Sequence, residues 1–323
     1  MTAQQPETRS IFTPVVDYFT KIRHNLAFLF SFPNRKNDAV PHAPQEKKQR
    51  FYHIFDDDGM NCFTIHLPEK RSAGKIPAVI VYPGGAYGVL AFEKEGRAIA
   101  EFLAQNGIAG IAVKYPLGSM FGHFKRHPAM VESAQRVIRL IRYYAPQLGI
   151  DPDRIGTMGF SAGGHLAGLA YTWREKTTHF LPENDPVDQV RATPDFVVFC
   201  YPVVTMEKGY AHAISRANLI GKNPPDELVK KLSLEQQITP DFPPSFLWQT
   251  LEDTCVDPEN ARMLDRALTE NNIDHKTIIY EHGPHGMGLM TAREKEKYLE
   301  TAKWSGELLD WLKQHGFTGG AEK

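Results

Sequence analysis

The most informative stretch of this sequence is a pentapeptide near the middle of the chain. Residues 159–163 have the sequence GFSAG, which fits the pattern G-x-S-x-G, and they lie between an apolar strand-like run and a helical pattern. In that setting a serine occupies a strained strand-to-helix turn, with its Oγ above the carboxyl edge of a sheet. Glycines on either side let the backbone approach itself closely, and the following helix directs its positive N-terminus at the serine. The pattern predicts that Ser161 is a nucleophile at the end of a buried strand.

The rest of the chain alternates between strand-like and helix-like patterns. Eight apolar or alternating segments predict strands, over residues 51–55, 62–67, 78–82, 108–115, 154–158, 196–204, 245–249 and 276–280. Besides the helix after Ser161, helical patterns cover residues 95–106, 128–145, 258–271 and 293–315. Such alternation is typical of a largely parallel sheet covered by helices. We therefore expect an α/β fold with a mostly parallel eight-stranded sheet and helices on both faces.

Length and composition indicate one large globular domain. The chain has 323 residues, of which 42% are hydrophobic and 23% charged, and its net charge is -1. This balance gives no electrostatic reason to expect a nucleic-acid partner. We assign residues 51–318 to the α/β domain, with residues 205–244 as a small cap-like insertion. The insertion is predicted because that stretch contains many prolines and no strand of its own.

Residues 1–50 differ from the rest of the chain. Apolar side chains recur every three or four residues between positions 11 and 31, which predicts an amphipathic helix, and a polar linker follows. We expect this helix to pack on the domain surface or on a partner subunit, with a membrane surface as the alternative. Because its apolar stretch is short and no clear A-x-A cleavage site follows, a signal peptide is disfavoured and a cytoplasmic location is expected.

A serine hydroxyl becomes a nucleophile when a base takes its proton and an acid orients that base. In this architecture the chain order is serine, acid, histidine, and each partner follows a strand at the same sheet edge. His285 lies in a glycine-rich loop after the last predicted strand, so we predict that it is the base, with His282 as the alternative.

Three carboxylates follow the predicted strand at 245–249 and could orient the base. Asp257 directly precedes a proline and a glutamate, as is typical of a helix start, so capping accounts for it. Asp253 has no such local role, and we predict that it is the acid. Asp257 and Glu252 stay open as alternatives.

The negative charge that develops on a substrate carbonyl oxygen needs N–H donors directed at it. Ala162, the residue after the nucleophile, supplies one predicted donor. The loop after the strand at 78–82 supplies the second, from Gly85 or Ala86, because small residues allow close approach.

Two bulky side chains flank these groups in the sequence. Tyr87 directly follows the predicted donor loop, and Met287 lies two residues after His285. Side chains of this size would narrow the acyl side of a pocket. We predict that both contact the substrate and that short acyl chains are preferred.

With these residues identified, the chain resembles the α/β-hydrolase superfamily, in the esterase and lipase branch close to acetyl xylan esterases and carboxylesterases. The similar segments are YPGGAY at 82–87, GFSAGGHL at 159–166, YPV at 201–203, Asp253 with Val256, and GPHGMGL at 283–289. Pro83 replaces the histidine of the H-G-G-G form, which weakens the likeness to lipases. The resemblance implies an α/β-hydrolase fold and a serine esterase that cleaves short-chain esters, with acetylated carbohydrate as the leading substrate class.

These expectations include an acyl-enzyme on Ser161, no metal or other cofactor, and a small-molecule or carbohydrate ester as substrate. The three cysteines are scattered without metal-ligand spacing. A homo-oligomer is compatible with the sequence. A peptidase on the same fold and a non-catalytic binding protein are the alternatives. A non-catalytic binding protein would lack one or more of the catalytic residues, whereas this chain retains all of them.

Overall fold

The computed structural model describes residues 52–54, 61–69, 74–120, 124–173 and 185–318. The predicted amphipathic helix at 11–31 and residues 51 and 55 of the first predicted strand lie outside the described residues. No described helix is both long enough and apolar enough to span a bilayer.

The described part of the chain contains eight strands in one sheet. They are β1 (Tyr52–His53), β2 (Cys62–His66), β3 (Ile76–Tyr82), β4 (Ala109–Lys114), β5 (Ile150–Phe160), β6 (Val197–Cys200), β7 (Ser245–Thr250) and β8 (His275–Tyr280). Their order across the sheet is β1-β2-β4-β3-β5-β6-β7-β8. β2 pairs antiparallel with β1 and β4, and all other pairs are parallel. The mostly parallel eight-stranded sheet is therefore confirmed.

Helices cover both faces of this sheet. A π-helical turn (Phe92–Arg97) leads into α1 (Ala98–Gln105), followed by α2 (Ala129–Tyr143), α3 (Ala145–Leu148), α4 (Ala162–Thr172), α5 (Ala213–Ile220), α6 (Asp226–Lys231), α7 (Glu259–Glu270), α8 (Ala292–Lys297) and α9 (Trp304–Gln314). Successive residues of β3 point to opposite faces. Ile80 belongs to a core that includes residues of α2, α4 and α7, whereas Val79 and Val81 belong to one that includes residues of α1 and α9.

The carboxyl ends of β3 and β5 lie side by side where the strand order reverses. β4 is on one side of β3 and β5 is on the other, and Tyr82 of β3 pairs with Gly159 of β5. In open α/β sheets a crevice forms at such a point, because the chain leaves the two strands toward opposite faces. The loop after β3 and the turn after β5 therefore meet at one edge.

Two predicted elements differ from the structure. The strand expected at 196–204 ends at Cys200, because Tyr201 has a positive φ of 37° and Pro202 has no N–H to continue a ladder. The prediction of a single closing helix at 293–315 is wrong. α8 and α9 are separated by a break that includes a short 3₁₀ turn (Thr301–Lys303). α8 buries no residue, whereas α9 buries four, so the break redirects the chain onto the sheet.

The stretch at 205–244 is fully described and contains no strand. It holds α5, α6 and a 3₁₀ turn (Leu234–Gln236). The Asn218 side chain of α5 donates a hydrogen bond to the carbonyl of Ala86, so this stretch packs against the loop after β3.

Candidate active site

Ser161 lies in a strained turn between β5 and α4. Its φ is 53° and its ψ is -122°, a combination that non-glycine residues rarely adopt. The flanking glycines are required by close backbone contacts. A Cβ on Gly159 would lie 1.9 Å from the carbonyl oxygen of Gly163, and one on Gly163 would lie 2.0 Å from that of Tyr82. The G-x-S-x-G spacing thus follows from the space available.

Hydrogen bonds hold this turn on both sides of the serine. Ser161 N–H donates to Cys200 O at 3.0 Å, and Ser161 O accepts from Val203 N–H at 3.0 Å. These bonds connect the turn to the end of β6, so the neighbouring strand fixes the strained conformation.

The structure brings together the three side chains predicted to act as nucleophile, base and acid. His285 Nε2 lies 2.9 Å from Ser161 Oγ, and His285 Nδ1 lies 2.6 Å from Asp253 Oδ2. A carboxylate only accepts hydrogen bonds, so we assign the ring proton to Nδ1. Nε2 is then free to accept the proton of Ser161. The Asp253 side chain is fully buried and that of His285 is 19% exposed.

The second oxygen of Asp253 fixes its orientation. Asp253 Oδ1 accepts hydrogen bonds from Cys255 N–H at 2.9 Å and Val256 N–H at 3.0 Å. The loop after β7 therefore directs the other oxygen, Oδ2, at His285.

The alternative residues make other contacts. His282 Nδ1 lies 3.1 Å from Glu252 Oε1, and both side chains are exposed. Asp257 Oδ1 accepts from Glu259 N–H at 2.8 Å at the start of α7, which is the capping role the sequence predicts. The structure pairs His285 with Asp253 and with neither of the other two carboxylates.

The loop after β3 has an unusual backbone. Gly85, Ala86 and Tyr87 have positive φ values of 132°, 55° and 56°. This loop lies against the serine turn, since a Cβ on Gly84 would be 3.0 Å from Ser161 Cβ. The strained run is therefore part of the site.

Six consecutive carbonyls of this loop are held by hydrogen bonds. The acceptor and donor pairs are Pro83 with Tyr115 Oη, Gly84 with Ala91 N, Gly85 with Gly88 N and Val89 N, Ala86 with Asn218 Nδ2, Tyr87 with Gly118 N, and Gly88 with Ser119 Oγ. Because each carbonyl is fixed, the N–H groups of the same peptide planes are fixed as well.

The three predicted N–H donors are those of Gly85, Ala86 and Ala162. Within the described residues no acceptor is found for any of them, whereas Gly84 N–H donates to Glu95 Oε2 at 2.9 Å. Ala162 is the first residue of α4, where an N–H has no partner inside the helix. The arrangement leaves donors available beside Ser161 for an anionic oxygen.

The predicted substrate contact of Tyr87 is wrong. Tyr87 is fully buried, and its hydroxyl donates to His165 Nδ1 at 2.7 Å. His165 Nε2 in turn donates to Leu232 O at 2.7 Å. Burial lowers the pKa of His165 to about 4, so its ring is neutral at neutral pH. Tyr87 therefore faces the core and connects the donor loop to the stretch at 205–244.

The predicted substrate contact of Met287 is wrong for a similar reason. Its exposed fraction is 1%, and it belongs to the core on the α1 and α9 face of the sheet. A Cβ on Gly283 would lie 2.7 Å from Met287 Sδ, so the side chain packs under its own loop. The side chain stabilises the loop that carries His285 instead of facing a substrate.

Two side chains of this site were missed by the sequence analysis. Glu95 and Tyr201 are both buried and bonded to each other, with Tyr201 Oη donating to Glu95 Oε1 at 2.7 Å. The sequence does hold one signal for Glu95. It lies four residues before Ile99, on the apolar face of the predicted helix, where a carboxylate is unusual.

No group of three or more His, Cys, Asp or Glu side chains suited to a metal ion occurs in the part of the chain that the structure describes.

Sequence comparisons agree with this architecture. A model of the BD-FAE family matches residues 63–268. Endo-1,4-beta-xylanase B of Butyrivibrio fibrisolvens is 33% identical over 216 residues, or 66% of this chain and 33% of the xylanase. The acetylxylan esterase of Xylanibacter ruminicola is 28% identical over 247 residues, or 75% of this chain and 47% of the esterase. The chain thus spans between a third and a half of the length of these curated relatives.

A solved structure is also similar. The acetyl ester-xyloside bifunctional hydrolase from Caldicellulosiruptor lactoaceticus is 32% identical, with a TM-score of 0.74, and the match covers 84% of this chain and 98% of that one. The predicted α/β-hydrolase fold and the resemblance to its esterase branch are confirmed.

Proposed function

The chain belongs to the BD-FAE family, and on that premise we propose that it is a serine esterase that hydrolyses short-chain carboxylic esters, with acetyl esters of carbohydrates as its substrate class. The single observation that carries the proposal is the continuous hydrogen-bonded chain from Ser161 through His285 to Asp253. This order of nucleophile, base and acid is that of a serine hydrolase.

The geometry supports a two-step reaction. Ser161 Oγ attacks the ester carbonyl while His285 Nε2 takes its proton, and Asp253 stabilises the imidazolium that forms. The carbonyl oxygen becomes an anion that accepts hydrogen bonds from Ala162 N–H and from Gly85 or Ala86 N–H. When this intermediate collapses, His285 returns the proton to the leaving alcohol, and the acyl group stays on Ser161.

Water then hydrolyses the acyl-enzyme, and His285 again acts first as base and then as acid. His285 takes a proton from the water as the hydroxide attacks the acyl carbonyl, and a second oxyanion forms at the same donors. Its collapse releases the carboxylic acid, and His285 returns the proton to Ser161. No group besides these side chains, the backbone donors and water is needed to balance the reaction.

The substrate class is supported by what the similar proteins are called. An acetylxylan esterase and an acetyl ester-xyloside hydrolase are among them. Tyr87 and Met287 give no support for short acyl chains, since both side chains are buried. The acyl preference therefore depends on the relatives alone.

Kinetics on matched esters test this function. As the acetyl esterases among the similar proteins suggest, we expect kcat/KM to decline from acetyl to butyryl to octanoyl p-nitrophenyl esters. The decline should be gradual, because an apolar slot distinguishes each methylene by only about 1–3 kcal/mol. Acetic acid should also be released from acetylated xylan. Ser161→Ala should fold normally and lose at least about 10³ in kcat, the usual loss for such a nucleophile. Activity within tenfold of wild type in that variant contradicts the mechanism, and a maximum at octanoyl contradicts the substrate class.

A further inference from the structure

Glu95 is a buried carboxyl group that the proposed mechanism does not use. It lies in the π-helical turn before α1, and 4% of its surface is exposed. Its neighbour Glu93 is in solvent, where it pairs with Arg97. A carboxylate is costly to bury without partners, so its contacts give the reason for its position.

Each oxygen of this carboxyl group accepts one hydrogen bond from a different part of the site. Oε2 accepts from Gly84 N–H at 2.9 Å, in the loop that carries the predicted oxyanion donors. Oε1 accepts from the hydroxyl of Tyr201 at 2.7 Å, at the end of β6.

Tyr201 extends the connection to the loop that carries His285. Its hydroxyl accepts a hydrogen bond from Gly288 N–H at 3.0 Å, three residues after His285. Its ring also meets the imidazole edge to face, with ring centroids 4.9 Å apart. A Cβ on Gly286 would lie 3.9 Å from Glu95 Oε1, so this loop passes directly over the carboxyl group.

The hydrogen-bond donors indicate the charge of Glu95. Gly84 N–H can only donate, and the hydroxyl of Tyr201 donates to Glu95 Oε1 while it accepts from Gly288 N–H. Both oxygens therefore accept, which suits an ionised carboxylate. Burial raises the pKa of Glu95, and the bonds from Tyr201 and Gly84 together with the nearby His285 oppose that rise.

We propose that Glu95 is a positioning residue, which holds the Gly84–Ala86 loop and, through Tyr201, the His285 loop in the geometry that the oxyanion requires. The proposal depends on the proposed esterase function. Since Gly84 N–H is bound to Glu95, it is not itself an oxyanion donor, and its bond fixes the Pro83–Gly84 peptide, which comes directly before the peptide that carries Gly85 N–H. One carboxylate thereby sets the distance between the anion donors and the base.

The test replaces each end of this connection in the full-length protein. Glu95→Gln keeps the size of the side chain, but its amide nitrogen cannot accept a hydrogen bond, so one of the two bonds that the carboxylate accepts is lost or reversed in direction. Tyr201→Phe keeps the ring and removes the hydroxyl. We expect kcat for p-nitrophenyl acetate to fall by about 10–100-fold in each variant, less than the loss of a whole oxyanion donor. KM should stay within about threefold, because these residues act on the transition state.

Two further variants separate this role from a structural one and from the function itself. Glu93→Gln, in the same turn but in solvent, is expected to keep the wild-type kcat. The Glu95→Gln, Tyr201→Phe double variant should lose little more than the worse single variant, because both act through one connection. All values are taken per folded enzyme, with the melting temperature recorded.

A kcat within twofold of wild type in Glu95→Gln, or losses that multiply in the double variant, overturn the proposal while leaving the esterase function intact. If Glu95→Gln does not fold, Tyr201→Phe decides by the same criterion. If the wild-type enzyme shows no ester hydrolysis that Ser161→Ala abolishes, both the proposed function and this inference are overturned.

Discussion

Several non-glycine residues with positive φ lie at or beside the proposed site. Ala86, Tyr87, Ser161 and Tyr201 adopt φ values between 37° and 56°. Each such conformation costs on the order of 1–3 kcal/mol and persists only where surrounding contacts enforce it. Here the enforcing contacts are the hydrogen bonds to the carbonyls of the loop after β3 and those that connect Ser161 to the end of β6. The strain therefore orients donors and nucleophile before a substrate arrives.

The two aspartates after β7 should differ sharply when replaced by asparagine. Asp253→Asn removes the acceptor for His285 Nδ1 and favours the wrong imidazole tautomer, so we expect kcat to fall by up to about 10⁴ with little change in melting temperature. Asp257→Asn should change neither quantity much, because asparagine also caps helices. Kinetics and thermal melting of both variants provide the check. Reversed behaviour would identify Asp257 as the acid.

His165 should make stability depend on pH in one direction. Its pKa is about 4 when folded and about 6.5 when unfolded, so the unfolded chain takes up the proton first as the pH falls. The contribution to stability is complete above pH 6.5 and is lost as the pH falls toward 4. Relative to His165→Gln, which does not titrate, the wild-type free energy of unfolding should fall by up to about 3 kcal/mol across that window. The free energies of unfolding are measured by urea unfolding at several pH values. If they change with pH in the same way in the wild type and in His165→Gln, this prediction is refuted.

At the scale of elements, α5 acts on a loop more than 100 residues away in the sequence. Asn218 donates to Ala86 O at 2.9 Å, and Asn218 O occupies the space that a Cβ on Gly118 would need. Tyr87 and His165 make a second connection to the stretch at 205–244. We propose that this stretch is a cap whose helices help to shape the donor loop.

Asn218→Asp tests that proposal, because it removes the N–H donor and places an acceptor oxygen beside Ala86 O. The loss of one hydrogen bond of about 0.5–1.5 kcal/mol predicts a fall in kcat of roughly 2–10-fold, with a smaller change in KM. Lys222→Ala, an exposed position just after α5, is the matched control and should retain full activity. Equal kinetics in the two variants would show that α5 does not influence the donor loop.

Features of the fold and site could be predicted where the residues that determine them lie close together in the sequence. The serine turn, the strand ends and the loop histidine were predictable because glycine spacing and apolar runs act within a few residues. The inward orientation of Tyr87 was not, since it depends on a partner 78 residues away in α4. The same holds for Glu95, whose partner Tyr201 is 106 residues distant. The closing helix was wrong because its break follows from packing: Thr301 Oγ1 donates to His282 O.

At the scale of the whole molecule, the sheet order determines which loops can cooperate. The reversal between β3 and β5 places the donor loop beside the serine turn, and parallel β7 and β8 bring Asp253 and His285 to the same edge. Residues from four loops therefore meet at one edge of the sheet. All residues assigned to the proposed chemistry lie outside residues 1–50.

Removing residues 1–32 should consequently leave kcat/KM for p-nitrophenyl acetate within about twofold, because every residue assigned to the reaction lies between Gly85 and His285. The deletion also removes the apolar face predicted at 11–31, which in solution would be covered by the domain, a second copy or a lipid surface. We expect a change in mass per particle by light scattering or in flotation with lipid vesicles. A full-length control with Phe19→Ser and Leu26→Ser should reproduce that change if the apolar face is its cause. A truncated protein with the same particle mass and vesicle binding as wild type would show that the predicted helix has neither role.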